Sequence, residues 1–315
     1  MFKNAKKWLK YGNCQGGLET NFVKVYNLSI MLVPFHTILQ DAYKNHYAVG
    51  AFNCLSVEQV MGAIKAAEEL RSPIILQLAE VQFPSASMEM MAPIFLEAAR
   101  TASVPVAVHL DHGQSLETCV KAIRLGFNSV MFDGANLPFE ENVEQSAQIV
   151  RIAKAVGVDV EAELGKVGDT GFGGGEGTGE AQPDVFTDVN ESKEFIARTG
   201  VDALAIAIGN LHGRYVATPE LNIERLKEIA AANGLPLVLH GGSGTSEEDF
   251  KACIHNGISK INVATALQMA IAQEISAYVS QAQNPDYLRM KDIMIDATCE
   301  AVKQHILLFE SNGRA

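Results

Sequence analysis

Along most of the chain, short apolar runs alternate with longer stretches whose apolar residues recur at helical spacing. The apolar runs fall at 47–52, 73–78, 104–110, 128–132, 158–164, 203–208, 235–239 and 259–263, and read as strands. Helical stretches follow them at 57–70, 88–102, 116–125, 139–156, 190–199, 223–233, 247–257 and 264–282. Strands that are apolar along their whole length suit a parallel sheet covered on its faces. Eight strand-then-helix units predict an α/β fold, a (β/α)8 TIM barrel. The competing fold is a doubly wound open sheet, which gathers ligands at a switch point rather than round a ring. A further helical segment at 287–309 lies outside the eight-unit count.

Two stretches break the rhythm. Residues 1–30 show no sustained period and carry a Gly-Gly pair at 16–17. They are expected to form an N-terminal appendage, poorly ordered or packed on the outside, with Met31 as the natural start and 31–315 as one barrel domain. An extra helix at 5–11 is the competing reading. The second break, 165–188, is long and rich in glycine and follows the fifth strand. A loop of that length at the rim of a barrel suits a mobile lid; a flexible insertion without a role is the plainer alternative.

Composition narrows the function classes. The 315 residues can bury a large core, and 48% hydrophobic and 20% charged residues are ordinary for a globular protein. A net charge of −12, with no basic run interleaved with aromatics, argues against a nucleic-acid partner. Positive charge for an anionic substrate would then come from a metal ion, backbone N–H groups or helix N-termini. No apolar stretch approaches the roughly 20 residues needed to span a bilayer. Met1 to Lys10 carries four lysines without an apolar segment and cleavage site behind them, so it does not read as a signal peptide. Cys14, Cys54, Cys119, Cys253 and Cys299 are odd in number, widely spaced and free of C-x-x-C pairs. They point to a reducing compartment, and hence to a cytoplasmic protein.

Three histidines carry the chemistry. His112, His212 and His240 each follow an apolar run, at what should be the C-terminal mouth of a barrel strand, where such barrels hold their active sites. Three imidazoles with a fourth position open is a ligand set for catalytic Zn2+. Each is followed by glycine, which lets backbone approach a bound group closely. His36, His46, His255 and His305 lack this context, and His109, inside the third strand, reads as a core or ligand-supporting residue. Asp111 is a carboxylate beside the metal. Gly241, Gly242 and Ser243, with Asn262 to Thr265 opening the last barrel helix, fall at the mouths of strands seven and eight, where phosphate sites are commonly built. A metal, a phosphate site and an acid together suggest cleavage of a ketose phosphate. The metal would stabilise an enediolate, and Asp111 would shuttle a proton on the C4 oxygen. Cleavage through a Schiff base would need a reactive lysine; Lys260, inside strand eight without an obvious partner, reads as structural.

The segments GAFN (50–53), SPIILQ (72–77), VPVAVHLDHG (104–113), SVMFDGANLPFEEN (129–142), VEAELGKVG (160–168), TGVDALAIAIGNLHG (199–213), PLVLHGGSG (236–244) and KINVATAL (260–267) resemble the zinc-dependent class II ketose-bisphosphate aldolases, nearest the tagatose-bisphosphate aldolase-like branch. The resemblance implies Asp111 as proton donor and His112, His212 and His240 as zinc ligands. It implies Asn53, Gly213, Gly241, Gly242, Ser243, Asn262, Val263, Ala264 and Thr265 as contacts to the dihydroxyacetone phosphate half, some through a monovalent cation such as Na+ or K+. Asp133 and Glu161 match positions that hold a second metal or orient the ligands. Relatives carry a loop glutamate that moves the C3 proton; here Glu176 and Glu180 are the candidates, in a longer loop. Two departures bear on substrate. Ala264 stands where fructose-bisphosphate aldolases carry Asp, and Ile295 where many relatives place a basic residue for the distal phosphate, with Arg289 and Lys291 nearby.

The leading expectation is reversible cleavage of a ketose 1-phosphate or 1,6-bisphosphate to dihydroxyacetone phosphate and an aldehyde, in a homo-oligomer, dimer or tetramer. A metal-dependent barrel hydrolase and a non-catalytic sugar-phosphate-binding protein are the alternatives.

Overall fold

The structure, a computed structural model, describes residues 31–169, 186–212, 220–242 and 245–315. The expected appendage at 1–30 and most of the glycine-rich loop, including Glu176 and Glu180, lie outside the described residues.

The strands among them are β1 (Val49–Asn53), β2 (Ile74–Ala79), β3 (Val106–Gly113), β4 (Ser129–Phe132), β5 (Asp159–Leu164), β6 (Gly168–Asp169), β7 (Ala203–Ile206), β8 (Leu211–His212), β9 (Leu237–Leu239) and β10 (Ile258–Val263). Eight of them close a parallel barrel in the order β1-β10-β9-β7-β5-β4-β3-β2. The remaining two, β6 and β8, pair with each other outside it. The helices are α1 (Phe35–Asn45), α2 (Val57–Leu70), α3 (Met88–Thr101), α4 (Leu116–Leu125), α5 (Phe139–Ala155), α6 (Val189–Thr199), α7 (Ile223–Asn233), α8 (Glu247–His255), α9 (Thr265–Gln281) and α10 (Tyr287–Leu308). The fold is therefore the (β/α)8 barrel that the alternation predicts.

Helix α1 is an element the strand-then-helix count passes over. Phe35, Ile38, Leu39 and Ala42 sit on one face at helical spacing, all buried. They pack with Val49, Ala51, Ile75, Ala107, Ala203, Ala205 and Val238 from the early parts of the strands, so α1 closes the N-terminal end of the barrel. The small residues on that inner face leave room for its side chains. Phe35 reaches far enough in to stack on His109, with ring centroids 5.0 Å apart and planes 3° from parallel.

Helix α10 packs along α2. A side chain on Gly62 would meet the Ile295 carbonyl at 2.5 Å and Thr298 Cβ at 2.7 Å, so the crossing needs glycine there. Side-chain oxygens of Ser56, Ser115, Asp188, Asn222, Ser246 and Asp286 cap the N-termini of α2, α4, α6, α7, α8 and α10. No helix of the described residues is long and apolar enough to cross a membrane.

Candidate active site

The centre is built on an irregularity in β3. Leu110 lies opposite Val130, but Gly113 lies opposite Phe132, so β3 carries one residue more than β4 across this interval. His112 sits in that bulge with φ of 46°, a left-handed backbone uncommon for a residue with a side chain. Consecutive residues on a regular strand face opposite sides of the sheet. Here the bulge lets Asp111 and His112 share a site, with Nε2 of His112 3.8 Å from Oδ1 of Asp111. Sequence reading puts His112 just past the strand; it lies inside it, because the bulged segment still pairs.

His240 follows β9 and is buried. Its Nδ1 lies 2.9 Å from Nε2 of His112. Each ring is held at its other nitrogen by a carboxylate: His112 Nδ1 lies 2.7 Å from Asp133 Oδ2, and His240 Nε2 lies 2.9 Å from Glu161 Oε1. The backbone carbonyl of His240 accepts from the Asn210 side chain at 3.1 Å. His212 is not at the mouth of β7, which ends at Ile206, but further on in β8, opposite Asp169; its side chain lies outside the described part of the structure.

Asp111 is buried among amide donors. Asn53 donates to Oδ2 at 2.8 Å, Gln77 to the same oxygen at 3.3 Å, and Asn262 to Oδ1 at 2.9 Å. Gln77 also donates to Asn53 at 2.8 Å, which fixes both. Burial pushes the Asp111 carboxyl up, yet His112, His240, Lys260 and the Asn53 hydrogen bond outweigh it and hold it at about 2. Burial likewise disfavours charge on His112, but Asp111, Asp133 and Glu163 prevail and raise it to about 10. Glu163 is pushed well above the ordinary carboxyl range by burial, with Asp133 adding to the effect.

The donor set suits a cation. Asp111, His112 and His240 each offer an atom within 4.8 Å of the others, and so do His112, Asp133 and Glu163. Two nitrogens bound to one tetrahedral zinc at about 2.0–2.1 Å stand about 3.3 Å apart, so the observed 2.9 Å requires only a small opening. Imidazoles whose outer nitrogens donate to carboxylates present lone pairs inward, the usual support of metal-binding histidines.

Around this centre, Gly241 is buried in a left-handed turn with φ of 68°. Asn262 and Val263 end β10, and the Asn262 side-chain oxygen is buried without a hydrogen-bond partner. Ala264 stands at the N-cap of α9 and supplies no capping side chain, and the N-terminus of that helix favours an anion. Thr265 follows, buried. Gly213 and Ser243 lie outside the described residues.

Glu161 lies against His240, in the place of a residue that orients a ligand, while Glu163, not singled out by sequence reading, joins Asp133 at His112. Both glutamates lie in one strand two residues apart, and the pattern alone cannot rank them. Lys260 does have a partner: its buried ammonium lies 2.9 Å from Glu161 Oε2. Gly113, the glycine after His112, serves packing: a Cβ there would meet Leu110 Cδ2 and the Met131 carbonyl at 2.8 Å. Gln77 went unnoticed because a glutamine in an apolar strand carries no motif.

Known proteins match this chain over most of its length. Residues 33–314 match the family described as fructose-bisphosphate aldolase class-II. The chain is 40% identical over 280 residues to the probable fructose-bisphosphate aldolase of Bacillus subtilis (strain 168), covering 88% of this chain and 95% of that one. It is 38% identical over 284 residues to the sulfofructosephosphate aldolase of Alkalicoccus urumqiensis, covering 89% and 96%. The crystal structure of the YdjI aldolase from Escherichia coli K12 superposes with a TM-score of 0.81 at 36% identity, over 90% of this chain and 99% of that one. The chain belongs to the class-II fructose-bisphosphate aldolase family and is an aldolase that cleaves a ketose phosphate.

Proposed function

We propose that the enzyme is a zinc-dependent aldolase of the tagatose-bisphosphate aldolase-like branch, cleaving a ketose 1-phosphate or 1,6-bisphosphate to dihydroxyacetone phosphate and an aldehyde. The observation that carries this reading is the pair of inward-facing imidazole nitrogens of His112 and His240, each ring backed by a carboxylate, with Asp111 beside them. His112, His240 and His212 hold the zinc. Bound there, zinc supplies Lewis-acid charge at the carbonyl end of the substrate.

Asp111 moves the proton on the C4 oxygen. Held as a carboxylate by three amides, it accepts that proton in cleavage and returns it in condensation. Asp133 orients His112, and Glu161 orients His240. Asn53, Gly213, Gly241, Gly242, Ser243, Asn262, Val263, Ala264 and Thr265 receive the phosphate-bearing half, with a monovalent cation among them. Glu176 or Glu180 moves the C3 proton from the long loop. The N-terminus of α9, which begins at Thr265, supports a phosphate there.

The far end of the substrate is read from α10. Ile295 lies on the α2-facing stretch of that helix, Lys291 pairs with Glu58 of α2, and Arg289 points into solvent. With Ala264 in place of the Asp of fructose-bisphosphate aldolases, this favours an aldehyde half other than that of fructose 1,6-bisphosphate. The free, buried thiols of Cys54, Cys119, Cys253 and Cys299 suit a cytoplasmic enzyme. We assign it a homo-oligomeric state, as the resemblance implies.

The test is dihydroxyacetone phosphate release from a panel of ketose phosphates, with EDTA and with Zn2+ added back. The panel holds fructose and tagatose 1,6-bisphosphates, ketose 1-phosphates and the sulfofructose phosphate for which one relative is named. Zinc-restored release from a panel member is expected. Release that survives complete metal removal would overturn the zinc mechanism.

A further inference from the structure

Where β2 ends, a glutamine that the proposed reaction does not use extends the chain of amides around Asp111. Gln82 closes a single 3-10 turn, Glu80–Gln82, directly after the strand. Its Oε1 accepts from the Ala79 backbone N–H at 3.1 Å and from Asn53 Nδ2 at 3.2 Å. The same Asn53 nitrogen donates to Oδ2 of Asp111 at 2.8 Å. Gln82 therefore stands two hydrogen bonds from the carboxylate, and 8% of its surface is still open to a ligand.

A backbone N–H can only donate, so the end of the Gln82 amide that faces Ala79 is its oxygen. The NH2 group is turned away from Ala79 and Asn53, and among the described residues it meets no acceptor. Capping the turn needs an acceptor alone, which a carboxylate or a hydroxyl supplies equally well. The amide adds two donors beside the site. The turn also holds them in place. Glu80 accepts from the Gln114 backbone N–H at 2.7 Å and from the Thr118 hydroxyl at 2.9 Å, which ties the turn to the segment after His112. The Gln82 carbonyl accepts from the N–H groups of Ser85 and Ala86 at 2.9 and 3.0 Å. Donors fixed in this way lose little freedom on meeting a ligand.

Asp111 divides the barrel mouth. Asn262 reaches its Oδ1 from β10, the strand that leads into α9 and the proposed phosphate site. Gln82 lies behind Oδ2 at the mouth of β2, two strands round the barrel from β10, with Asn53 on β1 between them. With the C4 oxygen on Asp111 and the phosphate at α9, the carbons beyond C4 run toward β2. We propose that Gln82 is a specificity residue: its NH2 group donates to an oxygen on the aldehyde half of the substrate, beyond C4. The inference rests on the aldolase reading in which Asp111 serves the C4 oxygen.

The test is read in condensation, where the aldehyde can be chosen. Wild type and Gln82→Met are compared with dihydroxyacetone phosphate and three aldehydes that differ by one hydroxyl at a time: propanal, lactaldehyde and glyceraldehyde. Wild type should gain in kcat/KM at the step that adds the hydroxyl facing Gln82. Gln82→Met should shrink that gain by about 2–10-fold, as expected for one neutral hydrogen bond. A residue that only caps the turn or steadies Asp111 would slow all three aldehydes by one factor and leave their ratios alone. Gln82→Glu gives a second measurement, in cleavage. It keeps an oxygen for Asn53 and the Ala79 N–H but puts an anionic oxygen where the NH2 group was. Ketose 1,6-bisphosphates and sulfofructose phosphate, anionic at their far ends, should then lose more kcat/KM than ketose 1-phosphates.

Aldehyde ratios equal in wild type and Gln82→Met would overturn the proposal and leave the aldolase reading standing. Should Gln82→Met fail to fold, or condensation be too slow to measure, Gln82→Glu decides alone: an equal loss across the ketose phosphates rejects the role of Gln82. No turnover by zinc-loaded wild type in either direction would reject the reading of the site, and this inference with it.

Discussion

His112 and His240, 128 positions apart in the chain, meet with Nε2 of one 2.9 Å from Nδ1 of the other. Because Asp133 and Glu161 take the outer nitrogens, the inner two face each other as acceptors. Two lone pairs at that distance repel unless a positive charge lies between them. In the metal-free protein that charge is a proton, and the raised titration of His112, to about 10, reflects its retention by Asp111, Asp133 and Glu163.

A cation entering the site must displace that proton. At neutral pH His112 is protonated in the metal-free protein, so apparent zinc affinity should rise with pH, about tenfold per unit for each proton released, until pH nears 10. Burial pushes Glu163 well above the ordinary carboxyl range, so a cation that takes it as a ligand must also work against that upward shift. Calorimetry of zinc binding in buffers of different ionisation enthalpy would count the protons; a count of zero at pH 7 contradicts the arrangement.

Asp111→Ala separates chemistry from metal binding. The side chain is held by Asn53, Gln77 and Asn262, none of which positions the histidines. Loss of a positioned proton carrier should lower kcat by about 10²–10⁴-fold. Zinc affinity and KM should change far less. A variant that cleaves at the wild-type rate would remove Asp111 from the mechanism.

Much of this was legible in the chain. Eight apolar runs with helical stretches between them are a large enough pattern to fix the barrel, and the HLDHG, NLHG and LHGGSG segments mark the rim. What could not be read is geometric. No periodicity reveals the bulge that turns Asp111 and His112 to the same side of β3, since a regular strand would separate them. Glu161 and Glu163 share a face in any strand, and only the contacts with Lys260 and His112 tell them apart. Helix α1 was readable from Phe35, Ile38, Leu39 and Ala42, yet a strand-then-helix count has no slot for a helix that precedes the first strand.

Gly113→Ala should damage the site through the fold. The added methyl would lie 2.8 Å from the Met131 carbonyl and 3.0 Å from Cys119 Sγ, so β3 and β4 must part where the bulge is formed. Overpacking of this kind costs about 1–3 kcal/mol. Denaturant unfolding should show that loss, with weakened zinc binding beside it. Wild-type stability together with wild-type zinc affinity would mean that the bulge tolerates a side chain there.

Two histidines away from the metal set the acid limit. Burial holds His109 well below the ordinary imidazole range, and Lys260 adds to the effect while Glu161 opposes it. Burial also lowers His305, against the opposing hydrogen bond to the Ala301 carbonyl at 2.7 Å, and its ring packs edgewise on Phe52 and Phe309. Both resist protonation when folded, whereas the unfolded side chains take a proton near pH 6.5. Below that pH the unfolded chain binds more protons than the folded one, so stability falls as pH falls, by up to about 1.4 kcal/mol per unit for each residue. His112 contributes no slope there, because its raised value keeps it protonated in both states below its unfolded pKa. Glu163, raised by burial, opposes this slope, so the comparison is between variants: on unfolding in EDTA at pH 6.5 and 5.5, His305→Leu should lose less stability on acidification than wild type. An unchanged slope in that variant would mean that His305 takes up its proton without opening the α10 packing.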